Sequence, residues 1–205
     1  ATVAAALAAL FVGAVYIGLL AWLPRDSLWS GDQGAKLVQV VSLIRAKLTS
    51  LAIPDPSLAY DPSGRFSPLP ALFTRSRDDV AYSIFSYPYA ALTAPFFFFL
   101  GYNGLFVIPL VATVGTLGLS AALGARLGLR PLWAIPPILG LATPLGFYAL
   151  VFWEHALATM LATAALLVAA QGLPRLEQAT SDDQRAPNAL RWLLCGLLAG
   201  LAWWF

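Results

Sequence analysis

The sequence predicts an all-α fold, a polytopic bundle of transmembrane helices. Of the 205 residues, 60% are hydrophobic and only 11% are charged, whereas a soluble domain carries about 25% charged residues. The uncharged stretches also recur at lengths near the roughly 20 apolar residues that cross a bilayer. No basic cluster is interleaved with aromatic residues, so the sequence gives no support for nucleic acid as a partner.

Five spans are predicted within one transmembrane domain that covers residues 1–205. Residues 24–104 would form an external loop with helices lying in the membrane interface, and residues 171–190 a cytoplasmic connector that mixes charges and contains proline. The last apolar stretch stops early, so we interpret the chain as part of a longer multi-pass protein of the cell (inner) membrane. The predicted spans are about 3–23, 105–125, 131–148, 151–170 and 191–205.

An acid and the only histidine of the chain lie side by side within a long apolar stretch. Glu154 is the only charged residue between Arg130 and Arg175, and His155 follows it directly. The stretch is about two spans long and Glu154 is near its midpoint, so we expect a hairpin with Glu154 at its tip, near the membrane surface. A polar turn would explain the pair, but an acid in such surroundings is by default a functional or ion-paired group.

An amphipathic helix is predicted directly after the first span, within "LWSGDQGAKLVQVVSLIRAKL" (28–48). Ser30 and Gln33 have the spacing of a capping box, which places Asp32 in the first helical turn. An apolar stripe at helical spacing favours a helix that lies in the interface. Asp32 would then suit proton abstraction or metal coordination, and the alternative is a simple helix-terminal charge. The stripe consists of Leu37, Val40, Val41, Ile44 and Leu48.

Basic residues of the same loop are candidate phosphate ligands. Lys36 follows Asp32 by one helical turn, and Arg65 comes later in a segment rich in proline and serine. Basic side chains form charge-assisted hydrogen bonds with phosphate. For any one of them, a solvated role or contact with lipid headgroups is the alternative.

The segment "YSIFSYPYAALTAPFFFFLG" (82–101) allows two topologies. Pro88 and Pro95 each remove a backbone donor, and "GYNG" (101–104) indicates a turn. If the segment crosses the membrane, Asp32 and Glu154 fall on opposite sides. If it lies along the surface, both acids face one compartment, and hydropathy leaves the two topologies open.

This layout resembles the N-terminal half of the GT-C-fold glycosyltransferases that use polyprenyl-phosphate sugars, such as aminoarabinose transferases and protein O-mannosyltransferases. The resemblance rests on "LWSGDQGAK" and "YPYAALTAPFFFFLGYNG". It implies a GT-C-like bundle, a juxtamembrane helix over 82–101, and Asp32 and Glu154 on the same external face. The family usually has an Asp-Glu pair where this chain has Asp32-Gln33, so the second carboxylate is missing.

The resemblance implies sugar transfer from a polyprenyl-phosphate carrier to a glycan, lipid or protein acceptor at the external face. Asp32 would be the general base, or would bind a metal together with Glu154. Glu154 and His155 would shape the headgroup or acceptor site, and Lys36 or Arg65 would pair with the carrier phosphate. No cofactor is required by the pattern, and a divalent ion, Mg²⁺ or Mn²⁺, is an option that some relatives use.

A second class of function is compatible with the same sequence. Small residues recur at close spacing at 121–128 and 196–202, a pattern that allows transmembrane helices to approach closely. The alternative prediction is therefore a non-catalytic transmembrane subunit that packs against other membrane subunits in a larger complex.

Overall fold

The computed structural model describes residues 2–24, 28–54, 60–63, 72–78, 80–172 and 189–205. These residues are mostly helical, as predicted, with one small sheet. They form two compact units, unit 1 from Ala1–Leu23 and Ile108–Phe205, and unit 2 from Pro24–Val107. In chain order the elements are α1 (Thr2–Trp22), α2 (Gly31–Arg45), β1 (Ala52–Ile53), β2 (Thr74–Arg77), β3 (Val80–Ser83), α3 (Tyr87–Leu100), α4 (Val107–Arg126), α5 (Ile135–Ala142), α6 (Leu145–Ala149), α7 (His155–Gly172) and α8 (Ala189–Trp204).

Two helical stretches in the described residues are long and apolar enough to cross a membrane. One is α1, and the other is the 40-residue run Tyr87–Arg126, which contains α3 and α4. Three further apolar helices are shorter, namely Leu132–Ala142, His155–Gln171 and Ala189–Trp204. Length and composition therefore support membrane association, and crossing by the shorter helices stays a prediction.

Within unit 1, α1 and α4 run in opposite directions. Near the start of α1, Ala5 packs with Ala121 from the last turns of α4. Further along α1, Val12 and Tyr16 pack with Leu117, and Gly13 lies against the side chain of Val114. Residues later in α1 therefore contact residues earlier in α4. Both connections to unit 2, after Leu23 and before Ile108, therefore leave unit 1 at the same end.

The predicted continuous helix over 131–148 is broken in the structure. A 3₁₀ turn (Leu132–Ala134) leads into α5, and α6 begins only at Leu145. Pro144 has no backbone N–H, so it cannot donate to the carbonyl of Gly140 four residues earlier. The Tyr16 hydroxyl donates to that carbonyl instead, at 2.6 Å.

The hydroxyl group of Thr143 pairs with two further backbone groups at the break. The hydroxyl donates to the carbonyl of Leu139 and accepts from the backbone N–H of Leu145 at 3.2 Å. Hydroxyl groups thus satisfy the carbonyls of both Leu139 and Gly140. In apolar surroundings this is the requirement for interrupting a helix, because an unpaired backbone group there is costly.

Two arginines cap the C-terminal end of α7. Arg126 Nε, from the last turn of α4, donates to the carbonyl of Ala170 at 3.1 Å. Arg191 Nη1, from the first turn of α8, donates to the carbonyl of Gln171 at 3.0 Å. Guanidinium groups satisfy orphan carbonyls and oppose the negative end of the helix dipole. Arg126 and Arg191 therefore lie at the same end of unit 1.

In unit 2 the chain folds back after α3. Gly101 has a φ of 57°, and a 3₁₀ turn follows over Gly101–Phe106. The backbone at Gly104 lies so close to α3 that an added Cβ would clash with the carbonyl group of Phe96. With 14 residues, α3 spans about 21 Å at 1.5 Å per residue, less than the roughly 30 Å hydrocarbon core. By itself α3 is therefore too short to cross a bilayer.

We expect Gly104→Ala to destabilise the protein by about 1–3 kcal/mol, because the new methyl group meets backbone atoms that cannot rotate away. The midpoint of thermal unfolding in detergent micelles measures this. Gly118→Ala in α4 is the matched control, since nothing lies within 4 Å of a Cβ built there. Equal effects of the two substitutions would contradict the close approach.

Candidate functional site

The start of α2 has the predicted cap, with one difference. Ser30 is the N-cap residue, and its Oγ accepts from the backbone N–H of Gln33 at 3.5 Å. The Gln33 side chain does not return to Ser30 but accepts from the backbone N–H of Trp29 at 3.1 Å. The two bonds fix the first turn of α2, which carries the half-buried Asp32.

The buried face of α2 carries polar residues. Gln33, Lys36 and Gln39 are 1%, 4% and 7% exposed, and each follows the previous one by about one helical turn. The predicted apolar stripe lies beside this face, and its members Leu37 and Leu48 are half-buried and exposed, respectively. The inward side of α2 therefore combines these polar residues with Val40 of the predicted stripe and with Leu43, which are both buried.

The ammonium group of Lys36 contacts one ring of a stacked aromatic pair. Its Nζ lies 4.7 Å from the centre of the Phe85 ring, which is a cation–π distance. Phe85 in turn stacks on Phe73 with ring centres 6.0 Å apart. Gln39 binds the same segment, because its Nε2 donates to the carbonyl of Phe85 at 3.3 Å. The segment before α3 thus fixes two residues of the α2 face.

The other basic candidates of this loop do not join that face in the described residues. Arg65 lies outside the described residues. Arg75 and Arg77 are on β2, which pairs antiparallel with β3 at the edge of the three-stranded sheet in the order β1-β3-β2, and both side chains are exposed. Arg77 forms an ion pair with Asp78 at 3.7 Å; both side chains are exposed, so the pair contributes little to stability.

Glu154 and His155 occupy the turn between α6 and α7 in unit 1. The predicted second helix of the hairpin begins at His155, four residues later than expected at 151, because residues 150–154 are irregular. Glu154 is only 9% exposed, and its carbonyl accepts from the N–H of Ala158 at 3.0 Å. Its neighbour Phe152 is fully buried, whereas His155 is exposed. The acid is therefore enclosed and the imidazole faces outward.

Four rings form an aromatic cluster around this turn, defined as Phe147, Tyr148, Trp153 and His155. The His155 ring centre is 5.2 Å from that of Tyr148 and 5.4 Å from that of Trp153, and Phe147 is 5.9 Å from Trp153. These tilted and edge-to-face contacts are favourable arrangements for aromatic rings. The cluster therefore fixes the ring of His155 against Tyr148 and Trp153.

The structure groups the predicted site residues in two pairs. Asp32 and Lys36 lie on successive turns of α2 in unit 2, and Glu154 and His155 are neighbours in unit 1. In the part of the chain that the structure describes, no three His, Cys, Asp or Glu side chains cluster as metal ligands. A divalent metal held by Asp32 and Glu154 therefore stays a hypothesis without a described ligand set.

Sequence analysis did not identify three polar residues beside Lys36. The Nε2 of Gln33, the Oε1 of Gln39 and the Oγ of Ser86 are buried and have no hydrogen-bond partner among the described residues. The spacing of Gln33, Lys36 and Gln39, three residues apart, is the sequence pattern that could have predicted a polar face on α2. It was outweighed by the apolar stripe, which is the stronger pattern in this helix.

The chain matches no known family model, no curated protein and no solved structure. The resemblance to GT-C-fold enzymes therefore rests on the sequence motifs and the predicted layout, and it stays a prediction.

Proposed function

We propose that the chain belongs to an integral-membrane glycosyltransferase of GT-C type, multi-pass in the inner membrane, that transfers a sugar from a polyprenyl-phosphate carrier to an external acceptor. The observation that carries this proposal is the opposite direction of α1 and α4. It returns both connections of the loop that contains Asp32 to the same end of unit 1. The proposal includes a surface position for residues 82–101, which the shortness of α3 supports.

The Glu154 turn belongs to that same end of unit 1. Ala149, at the end of α6, packs with Tyr16 in the later half of α1. The arginine-capped end of α7, at Ala170, is the opposite end of that helix from His155. The turn with Glu154 therefore lies at the end of unit 1 that contains Leu23 and Ile108.

Chemically, the transfer requires a base, an electrophile and a leaving anion. In the proposal, Asp32 accepts the proton of an acceptor hydroxyl as that oxygen attacks the anomeric carbon. The bond between the anomeric carbon and the carrier phosphate breaks, and the phosphate leaves as an anion beside Lys36, with Arg65 as a second candidate. The enclosed Glu154 and the outward-facing His155 ring contribute to the sugar or acceptor site.

The topology is tested by cysteine labelling from one side of sealed vesicles. In a Cys195→Ala background, Arg45→Cys at the end of α2 and His155→Cys should both react with a membrane-impermeant maleimide added from the external side. Both side chains are exposed. Arg130→Cys, in the exposed basic connector, is the control that should react only after the vesicles are opened. Reaction of positions 45 and 155 from opposite sides would rule out a shared site.

One observation favours the alternative of a non-catalytic membrane subunit. None of the residues of α8 is buried, and Cβ atoms built at Gly196 and Gly200 meet nothing within 4 Å. This face is open to a partner helix from another membrane subunit or from the same chain. Gly196→Leu separates the two functions, because it should disrupt packing against a partner helix and leave the catalytic loop unchanged. Retained transfer activity would support the enzyme, and loss of a complex without any transfer activity would support the subunit.

A further inference from the structure

We infer that the buried polar face of α2 binds a phosphate ester that carries hydroxyl groups, such as a sugar phosphate. The face is defined by Gln33, Lys36 and Gln39, together with Ser86 at the start of α3. The identification of this ligand as the carrier headgroup rests on the proposed function. All the residues that define this face belong to unit 2.

The first argument is the set of buried polar atoms without partners. Buried side-chain polar atoms are nearly always hydrogen-bonded, because an unpaired one loses its bonds to water and gains nothing in return. Here the Nε2 of Gln33, the Oε1 of Gln39 and the Oγ of Ser86 have no partner among the described residues. Gln33 and Gln39 are at least nine-tenths buried. A bound ligand would satisfy all three atoms.

The second argument is that these atoms lie along one surface. Gln33 and Gln39 are six residues apart on α2, a distance of about 9 Å at 1.5 Å per residue. Ser86 directly follows Phe85, whose carbonyl accepts from Gln39 Nε2 at 3.3 Å and whose ring lies 4.7 Å from Lys36 Nζ. Lys36 therefore lies between Gln33 and Gln39 along α2, and Ser86 adjoins the residue that contacts both Lys36 and Gln39.

The third argument is the kind of atom at each place. Gln33 Nε2 can only donate, Ser86 Oγ can donate or accept, and Lys36 contributes a positive charge. This set suits phosphate oxygens, which only accept. Gln39 Oε1 can only accept, so it requires a hydroxyl or N–H of the ligand. A phosphate ester joined to a hydroxylated ring meets both requirements, with its hydroxyl donors set apart from the phosphate oxygens by the ring.

The amide at position 33 is essential to this assignment. A carboxylate there would repel a phosphate, whereas the amide offers a donor toward it. At the same time the Oε1 of Gln33 caps α2 by accepting from the N–H of Trp29. One side chain thus both starts the helix and presents a donor on its buried face.

The test measures the midpoint of thermal unfolding of the purified full chain. The probes are glucose 1-phosphate, mannose 1-phosphate and inorganic phosphate in detergent, and nanodiscs with and without polyprenyl-phosphate glucose. We expect at least one sugar phosphate, soluble or lipid-linked, to raise the midpoint more than inorganic phosphate does. A response confined to the nanodiscs identifies a lipid headgroup, and a response in detergent identifies a soluble ester; both support the site.

Two variants should weaken this binding for different reasons. Lys36→Gln should lower the affinity at least tenfold, because the charge is lost, and the exposed Lys47→Gln should leave it unchanged. Ser86→Ala should weaken binding about tenfold and yet leave the midpoint without ligand unchanged or higher, because the Oγ has no partner to lose. If Ser86 had only a structural role, Ser86→Ala would lower the midpoint without ligand and leave the affinity unchanged.

No stabilisation by any sugar phosphate, an equal response to inorganic phosphate, or equal weakening by Lys47→Gln would overturn the inference. The outcome separates this inference from the proposed function. Sugar-phosphate binding without transferase activity would contradict the function and keep the site. Transfer that survives both Lys36→Gln and Ser86→Ala would contradict the site and keep the function.

Discussion

Asp32→Asn is expected to lower the rate of sugar transfer by at least about 100-fold, the lower end of the contribution that a positioned general base makes. The amide has nearly the same shape as the carboxylate but cannot accept the proton of the acceptor hydroxyl. The fold should persist, because the N-cap of α2 is Ser30 and its bonds do not involve the Asp32 side chain. Transfer is measured in proteoliposomes that contain a polyprenyl-phosphate-linked sugar and an acceptor.

Asp78→Asn is the matched control for this substitution. Asp78→Asn is the same chemical change in the same loop, but the Asp78 side chain is 91% exposed and pairs with the exposed Arg77 at 3.7 Å. Its φ of 51° is a conformation that asparagine tolerates well. We expect unchanged transfer in Asp78→Asn. Full activity in Asp32→Asn would remove Asp32 from the mechanism and with it the main support for the enzyme.

The Asp32 helix illustrates what periodicity does and does not predict. The spacing of Leu37, Val40, Val41 and Ile44 correctly identified residues that share one side of α2. It carries no information about what that side faces. In water the apolar side packs inward, but beside lipid an apolar side faces outward and polar side chains are then free to pack inside. In α2 neither arrangement holds alone, because Gln33 and Lys36 are buried together with Val40 of the stripe.

The Glu154 turn shows a different limit. Counting uncharged residues on both sides correctly placed a turn close to Glu154, since chain length decides where an apolar stretch reverses. The exposure of the two neighbours was not predictable in this way. Glu154 is enclosed and His155 is exposed, because α7 begins exactly between them and adjacent residues at a helix start point in different directions. Such detail depends on the packing of Phe152 and the surrounding rings.

The break between α5 and α6 was recognisable from Pro144, but its compensation was not. Because proline has no N–H, the carbonyl four residues earlier needs another donor. Here that carbonyl belongs to Gly140. The donor is the hydroxyl of Tyr16, 124 residues away in sequence. Contacts of such long separation follow from the packing of α1 against α5, and neither periodicity nor local propensity contains that information.

Tyr16→Ala is accordingly the substitution with the largest expected effect on stability. Tyr16 is 2% exposed and belongs to the cluster that joins α1, α4 and α6. Truncation would leave a cavity, at a cost of about 3–5 kcal/mol for a large aromatic side chain, and would also leave the Gly140 carbonyl without its hydroxyl donor. Tyr16→Phe keeps the ring and isolates the hydrogen bond, for which we expect a loss of about 1–3 kcal/mol.

The midpoint of thermal unfolding in detergent micelles measures both variants, with Tyr60→Ala as control, since Tyr60 is 92% exposed. The functional consequence follows from position. Tyr16 holds α1 to the break that precedes the Glu154 turn, so Tyr16→Phe should also increase the reactivity of a cysteine at position 154 toward a maleimide, compared with the same cysteine in the Tyr16 protein. A stable Tyr16→Phe variant with unchanged labelling would mean that another donor satisfies Gly140. The aromatic cluster alone would then hold the turn in place.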